Sequence, residues 1–185
     1  MKKTVLTFGL ISGVIISAMM LATVPFMDRI GFDRGEIIGY TSMVLAFLLI
    51  YFGIRSYRDN VAGGSISFGR AFKVGALIAA IASICYVATW QVVYFKLSPD
   101  FLVKLQAHTL ESARADGETE AQLAKRRADM EKFARMYQNP AFNAAVTFLE
   151  PLPVALVMTL VSAGILSRRR KEQSGAVLSS ARVLT

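Results

Sequence analysis

Apolar positions along this chain run in long unbroken blocks. Residues 5–27, 37–54 and 74–95 contain no Asp, Glu, Lys or Arg, and residues 146–166 contain only Glu150. A helix rises about 1.5 Å per residue, so about 20 apolar residues cross about 30 Å of hydrocarbon. Lipid offers a backbone no hydrogen-bond partners, which makes helices the only sensible form for such runs. Core helices of a soluble protein would show a polar face, and these blocks show none. The pattern predicts four spans, about 5–27, 37–54, 71–95 and 146–166. The first begins like a secretory signal with Lys2 and Lys3, but it is too long and ends in Val24-Pro25-Phe26-Met27, a poor cleavage site. It reads as a retained span.

Between the third and fourth blocks the pattern changes. Ser98-Pro99-Asp100 reads as a helix start, with Ser98 as cap and Pro99 at the first position. Phe101, Leu105 and Thr109 then recur every four residues, and Asp116-Gly117 breaks the run. A second helix over about 119–138 carries Leu123, Met130, Phe133 and Tyr137 on one stripe and stops at Asn139-Pro140. The expected fold is an all-α membrane protein. A four-transmembrane-helix bundle carries an extramembrane amphipathic helical hairpin (96–145) between spans 3 and 4. Residues 1–171 form one domain, and 172–185 read as a flexible tail.

Small residues at four-residue intervals predict how the spans pack, since close approach substitutes for a hydrophobic drive in lipid. They are Gly9, Gly13 and Ser17; Ala71, Gly75, Ala79 and Ser83; Ala155, Thr159 and Ala163. Internal seams are favoured over a homodimer contact. Trp90, Tyr94 and Phe95 suit an aromatic belt at the headgroup level more than a ligand-stacking role.

Charge sets the threading. With the N-terminus cytoplasmic, the inner segments 1–4, 55–73 and 167–185 carry 11 Lys and Arg against two acids. The outer segments carry 10 basic residues, nearly a tie, but spread over a longer stretch. Lys2-Lys3 and Arg168-Arg169-Arg170-Lys171 fall on one side of any four-span chain, so both termini are placed in the cytoplasm. The net charge of +8 thus reflects inner-face anchoring. The near-neutral outer segment gives no nucleic-acid surface. Lys125-Arg126-Arg127 reads as a solvated face before a lipid-headgroup contact.

One cysteine, Cys85, and one histidine, His108, leave no intrachain disulfide, no Cys-based zinc site and no multi-His metal site. His108 reads as a surface residue. No nucleophile–base set, dinucleotide fingerprint or phosphate loop occurs, so no cofactor or enzymatic activity is expected. Glu150, read as the only acid within the spans, stands beside Pro151 and Pro153, where the helix should start or kink. Arg168 lies 18 residues on, about 27 Å along a helix, which puts Glu150 near the outer boundary. These three residues form the candidate polar or binding site, with an interfacial carboxylate as the plainer reading. Tyr57, Arg58, Arg70 and Lys73, with Arg168, Arg169, Arg170 and Lys171, are the candidate inner-interface or lipid contacts.

Three stretches carry a family resemblance: Gly39-Tyr40 onward to Tyr51-Phe52-Gly53-Ile54-Arg55-Ser56-Tyr57-Arg58-Asp59; Gly64-Ser65-Ile66-Ser67-Phe68-Gly69-Arg70-Ala71-Phe72-Lys73-Val74-Gly75; and Phe148-Leu149-Glu150-Pro151-Leu152-Pro153-Val154. The chain resembles the bacterial membrane family known as domain of unknown function 4199, over about residues 5–171. The resemblance implies a small four-span protein of the bacterial inner membrane and supplies no reaction or catalytic residue. A structural, assembly or accessory component is the first expectation, in contact with membrane lipids and with a second copy or a partner membrane protein. A transporter or channel subunit built around Glu150 is the alternative, and a lipid-handling enzyme the third.

Overall fold

The computed structural model describes residues 1–167. The stretch Arg168–Lys171 and the tail beyond it lie outside the described residues. The chain is helical, with no strand among the described residues. In order come α1 (Lys2–Thr23), a 3-10 turn (Val24–Phe26), α2 (Met27–Ile30), α3 (Phe32–Asn60), α4 (Phe68–Val92), a π-helical turn (Val93–Leu97), α5 (Phe101–Ala115), α6 (Glu120–Tyr137), α7 (Pro140–Leu149) and α8 (Leu152–Leu166). Four stretches are long and apolar enough to cross a membrane: Lys2–Ile30, Phe32–Asn60, Phe68–Leu97 and Pro140–Leu166.

Helix α4 is the centre of the packing and touches α1, α3, α7 and α8. Glycine permits its close approach to α1: a Cβ on Gly13 would lie 2.6 Å from Cys85 Cβ, and one on Gly9 would lie 2.8 Å from Ile81 Cβ. Ser17 completes this row, its hydroxyl accepting from Thr89 at 2.8 Å. On the other face of α4, Gly75 meets Thr159 of α8 and Ile50 and Ile54 of α3. The small-residue rows therefore serve as internal seams. Phe47, Ile50, Ile54, Val74 and Ile78 are completely enclosed. They close the half of the core that faces the 61–67 loop, where Gly63 and Gly64 take positive φ.

The outward faces of the same helices remain apolar. Val14 (64% exposed), Ile37 (67%), Ile84 (60%) and Val157 (58%) stand on four different helices. No described element covers them.

The junctions differ from the sequence expectation in instructive ways. Helix α3 starts at Phe32, five residues before the expected span, so Asp33 and Glu36 are helical and Glu150 is not the only acid on the long helices. Hydropathy places a boundary at the last charge, whereas the helix itself starts directly after Gly31, whose φ of +81° reverses the chain after α2. The cap expected at Ser98 is absent: α4 runs on through the π-helical turn, Ser98 N–H donates to Val93 at 2.8 Å, and α5 starts at Phe101. Helix α6 follows the expected stretch, with Thr119 and Gln122 capping each other's backbone. Asn139 caps α7 through bonds from Ala141 and Phe142, with Pro140 at the first position. The expected break at Pro151 is present: α7 ends at Leu149 and α8 begins at Leu152. It arises because Pro151 and Pro153 supply no amide donors to the helix.

Helices α5 and α6, joined by the turn at Gly117 (φ +85°), lie against each other. Helix α5 is tied to the α2–α3 corner. Lys104 Nζ donates to Asp28 at 3.0 Å, His108 Nε2 meets Asp33 at 3.1 Å, and the Phe32 ring stacks on His108 at 5.3 Å between centroids. His108, expected as a plain surface residue, is thus engaged in the contact between two helices.

Candidate binding cleft

At the α5–α6 end, the long helices do not close on one another. They enclose a cleft of about 570 Å³, within the usual size of small-molecule sites. Each wall is a short helical stripe. Helix α3 supplies Glu36, Gly39, Tyr40 and Met43, and α4 supplies Tyr86 and Trp90 one turn apart. Helix α6 adds Phe133 and Tyr137, while Val146 and Glu150 come from α7 and its end. Helix α5 covers the top with Phe101, Leu105 and His108, and methionines of α1 and α2 form the remaining side. Positions three and four apart share a helix face, which is why these sets converge.

The polar chemistry is organised around two carboxylates and a cluster of phenols. Tyr86 donates its hydroxyl proton to Glu150 Oε2 at 2.9 Å, across 64 residues of chain. Glu150 caps the end of α7, so the proline break aims this carboxylate at α4. Glu36 lines the opposite wall. None of the ion pairs among the described residues uses Glu36 or Glu150.

The aromatic wall is held from behind by a polar chain. Trp90 Nε1–H donates to the Tyr137 hydroxyl at 2.9 Å, and that hydroxyl and the Thr147 hydroxyl are 2.9 Å apart. Thr147 donates to Asn143 Oδ1 at 3.4 Å, which also accepts from Gln91 Nε2 at 2.8 Å. Asn143 is fully buried and Thr147 nearly so, so each needs these partners. The chain joins α4, α6 and α7 and fixes the indole ring.

Among the expected site residues, Glu150 reaches the cleft. Pro151 is buried and opens the break before α8, while Pro153 sits in the first turn of α8 and faces outward. The expected inner contacts lie at the far end of α3 and the start of α4. Arg70 and Lys73 are exposed there, and Arg58 donates from Nε to Asp59 at 2.7 Å. Tyr57 is 8% exposed and packs in the core, a correction to its expected place at an interface. Arg168, Arg169, Arg170 and Lys171 lie outside the described residues. Within Lys125-Arg126-Arg127, Arg126 is committed to a bidentate pair with Glu118.

Glu36, Tyr40, Tyr86 and Tyr137 were missed as site residues, and Trp90 was read as a belt residue. Their spacing carried a signal: Glu36–Tyr40, Tyr86–Trp90 and Phe133–Tyr137 are each polar or aromatic pairs four apart. Only the three-dimensional register shows that the pairs face one another. No group of three metal-ligating side chains occurs among the described residues.

All of the cleft falls inside one recognised sequence region. A family model described as a protein of unknown function, DUF4199, matches residues 7–168. The chain belongs to this family. No curated protein and no solved structure matches the chain. For this DUF4199 chain, the cleft geometry is therefore the main guide to chemistry.

Proposed function

We propose that this chain is a four-span bacterial inner-membrane protein that works by holding a ligand in the cleft, without catalysing a reaction. Both termini lie in the cytoplasm, and the α5–α6 hairpin covers the cleft from the periplasmic side. Some twenty half-exposed aliphatic and aromatic side chains stand on the long helices. At about 1 kcal/mol each, their transfer from water to hydrocarbon favours insertion by roughly 20 kcal/mol. The threading rests on the Lys and Arg that flank the 61–67 loop, Arg55, Arg58, Arg70 and Lys73, and on those near the termini.

The observation that carries the binding role is the cleft itself: ligand-sized, walled by aromatics, with polar groups aimed inward. An accessory protein with a closed, dry core would show none of this. A conduit is the second reading, favoured by carboxylates from two separate helices on one cavity. Against it stands the enclosed layer of Phe47, Ile50, Ile54, Val74 and Ile78 between the cleft and the 61–67 loop. Cys85 faces Gly13 in the α1–α4 seam, outside the cleft wall, so it offers no nucleophile there.

Trp90 is the single tryptophan and lines the cleft, so its emission reports occupancy. The full chain in nanodiscs should show saturable emission changes with small aromatic amphiphiles. Gly39→Phe should abolish them, because Gly39 lines the cleft and a Cβ there meets nothing within 4 Å. Unchanged titrations in Gly39→Phe, with an unaltered melting temperature, would remove the binding role.

A further inference from the structure

The charge of the cleft runs against the charge of the protein. The chain carries a net +8, yet among the described residues the cleft walls hold three carboxylates, Asp33, Glu36 and Glu150, and no lysine or arginine. Asp33 is met by His108, the only other titratable nitrogen side chain on the wall. The nearby Lys104 is engaged by Asp28 and Asp100, at 3.0 and 2.9 Å, and does not line the cleft. Glu36 and Glu150 thus face a shared space with no cation from the described chain. Both carboxylates are exposed at the cleft, so a countercharge from outside the chain can reach them.

The same space is bounded by aromatic side chains. Trp90, Tyr40, Tyr86 and Tyr137 surround it, and the indole is the strongest cation–π partner among side chains. Trp90 is held by its bond to Tyr137 and by edge-to-face contact with Phe101 at 5.0 Å. Met19, Met20, Met27 and Met43 make up much of the apolar lining, a pliable surface that adapts to differently shaped bodies.

Resting on the binding role above, we infer that the ligand is an organic cation: a positively charged ammonium or phosphonium centre carried on an apolar body. The carboxylates of Glu36 and Glu150 hold the charge, the aromatic wall covers its flanks, and the methionines accept the apolar part. Two sources share this chemistry, a freely diffusing lipophilic cation and the ammonium headgroup of a zwitterionic lipid.

The test uses the full chain in nanodiscs of phosphatidylglycerol alone, with empty nanodiscs as background and Trp90 emission as readout. Tetraphenylphosphonium should bind saturably at one per chain, and the uncharged triphenylphosphine oxide should bind at least roughly tenfold more weakly. Glu36→Gln and Glu150→Gln should each weaken tetraphenylphosphonium by roughly tenfold, and the double variant should abolish its binding. Glu36 is exposed and makes no ion pair among the described residues, so Glu36→Gln decides the matter if Glu150→Gln disturbs folding. Adding phosphatidylethanolamine distinguishes the sources: competition assigns the lipid headgroup, and unchanged affinity assigns a free cation. Equal binding of the neutral probe, or indifference to Glu36→Gln, overturns the cation assignment while leaving a binding cleft in place. No saturable response to either probe overturns the cleft reading itself.

Discussion

At the scale of single residues, the Tyr86–Glu150 bond joins two helices across the cleft floor. A phenol donating to a carboxylate is stronger than a bond between neutral partners. Comparable interhelical bonds in lipid measure about 0.6 kcal/mol and reach about 1.7 kcal/mol. Tyr86→Phe and Glu150→Ala should therefore show a coupling energy of about 0.5–2 kcal/mol in a double-mutant cycle on thermal unfolding in nanodiscs. Additive effects would mean that the bond contributes nothing. Gly13 makes a different kind of demand. Gly13→Leu must place its Cβ where Cys85 already stands, and overpacking of this sort costs about 1–3 kcal/mol. The melting temperature should fall accordingly, whereas Gly69→Leu, facing open space, should leave it nearly unchanged.

At the scale of elements, the cover helix α5 is fastened largely by polar links at its first half. Asp100 is held below the usual carboxylate range by its hydrogen bond with Lys104, and Lys104 is held above its ordinary value by Asp100 and Asp28. A depressed carboxyl contributes stability above its unfolded value and loses it as pH falls through the depressed value. A raised ammonium contributes below its unfolded value and loses it as pH rises through the raised one. The Lys104–Asp28 tie should therefore hold at neutral pH and weaken as pH rises through the raised Lys104 value, while the Asp100–Lys104 pair, which steadies the start of α5, is lost as pH falls through the depressed Asp100 value. Because Phe101 rests on Trp90, release of α5 shifts Trp90 emission. A change appearing only below the ordinary carboxylate range and above the ordinary lysine range is expected, and a flat profile across both would count against the fastening. Much of this element scale was readable beforehand. The four greasy blocks, the α6 helix and the proline break follow from composition and backbone chemistry acting locally. The entry into α3 and the π-helical exit from α4 were not readable, because Gly31 and the turn at 93–97 act through backbone geometry that hydropathy does not register. The cleft was legible only in Glu150; its other walls depend on the rotation of one helix against another, which a single strand of letters leaves open.

At the scale of the whole molecule, the four apolar stretches, the basic clusters and the polar cover make one directional object. Cysteine labelling checks the direction. In a Cys85→Ser background, a cysteine at Arg127 should react with an impermeant maleimide added from the periplasmic side, and one at Gly63 only after permeabilisation. The reverse pattern would invert the threading while leaving the helix packing untouched. The interruption at Glu150-Pro151 has a mechanical corollary. Helix α7 leans on α4 and α6, whereas α8 is clasped by α3 and α4. The fourth stretch is thus a jointed rod whose upper arm belongs to the cover and whose lower arm belongs to the sealed base. The proposed entry of a ligand at the mouth should therefore move the near arm about this joint and leave the far arm in place.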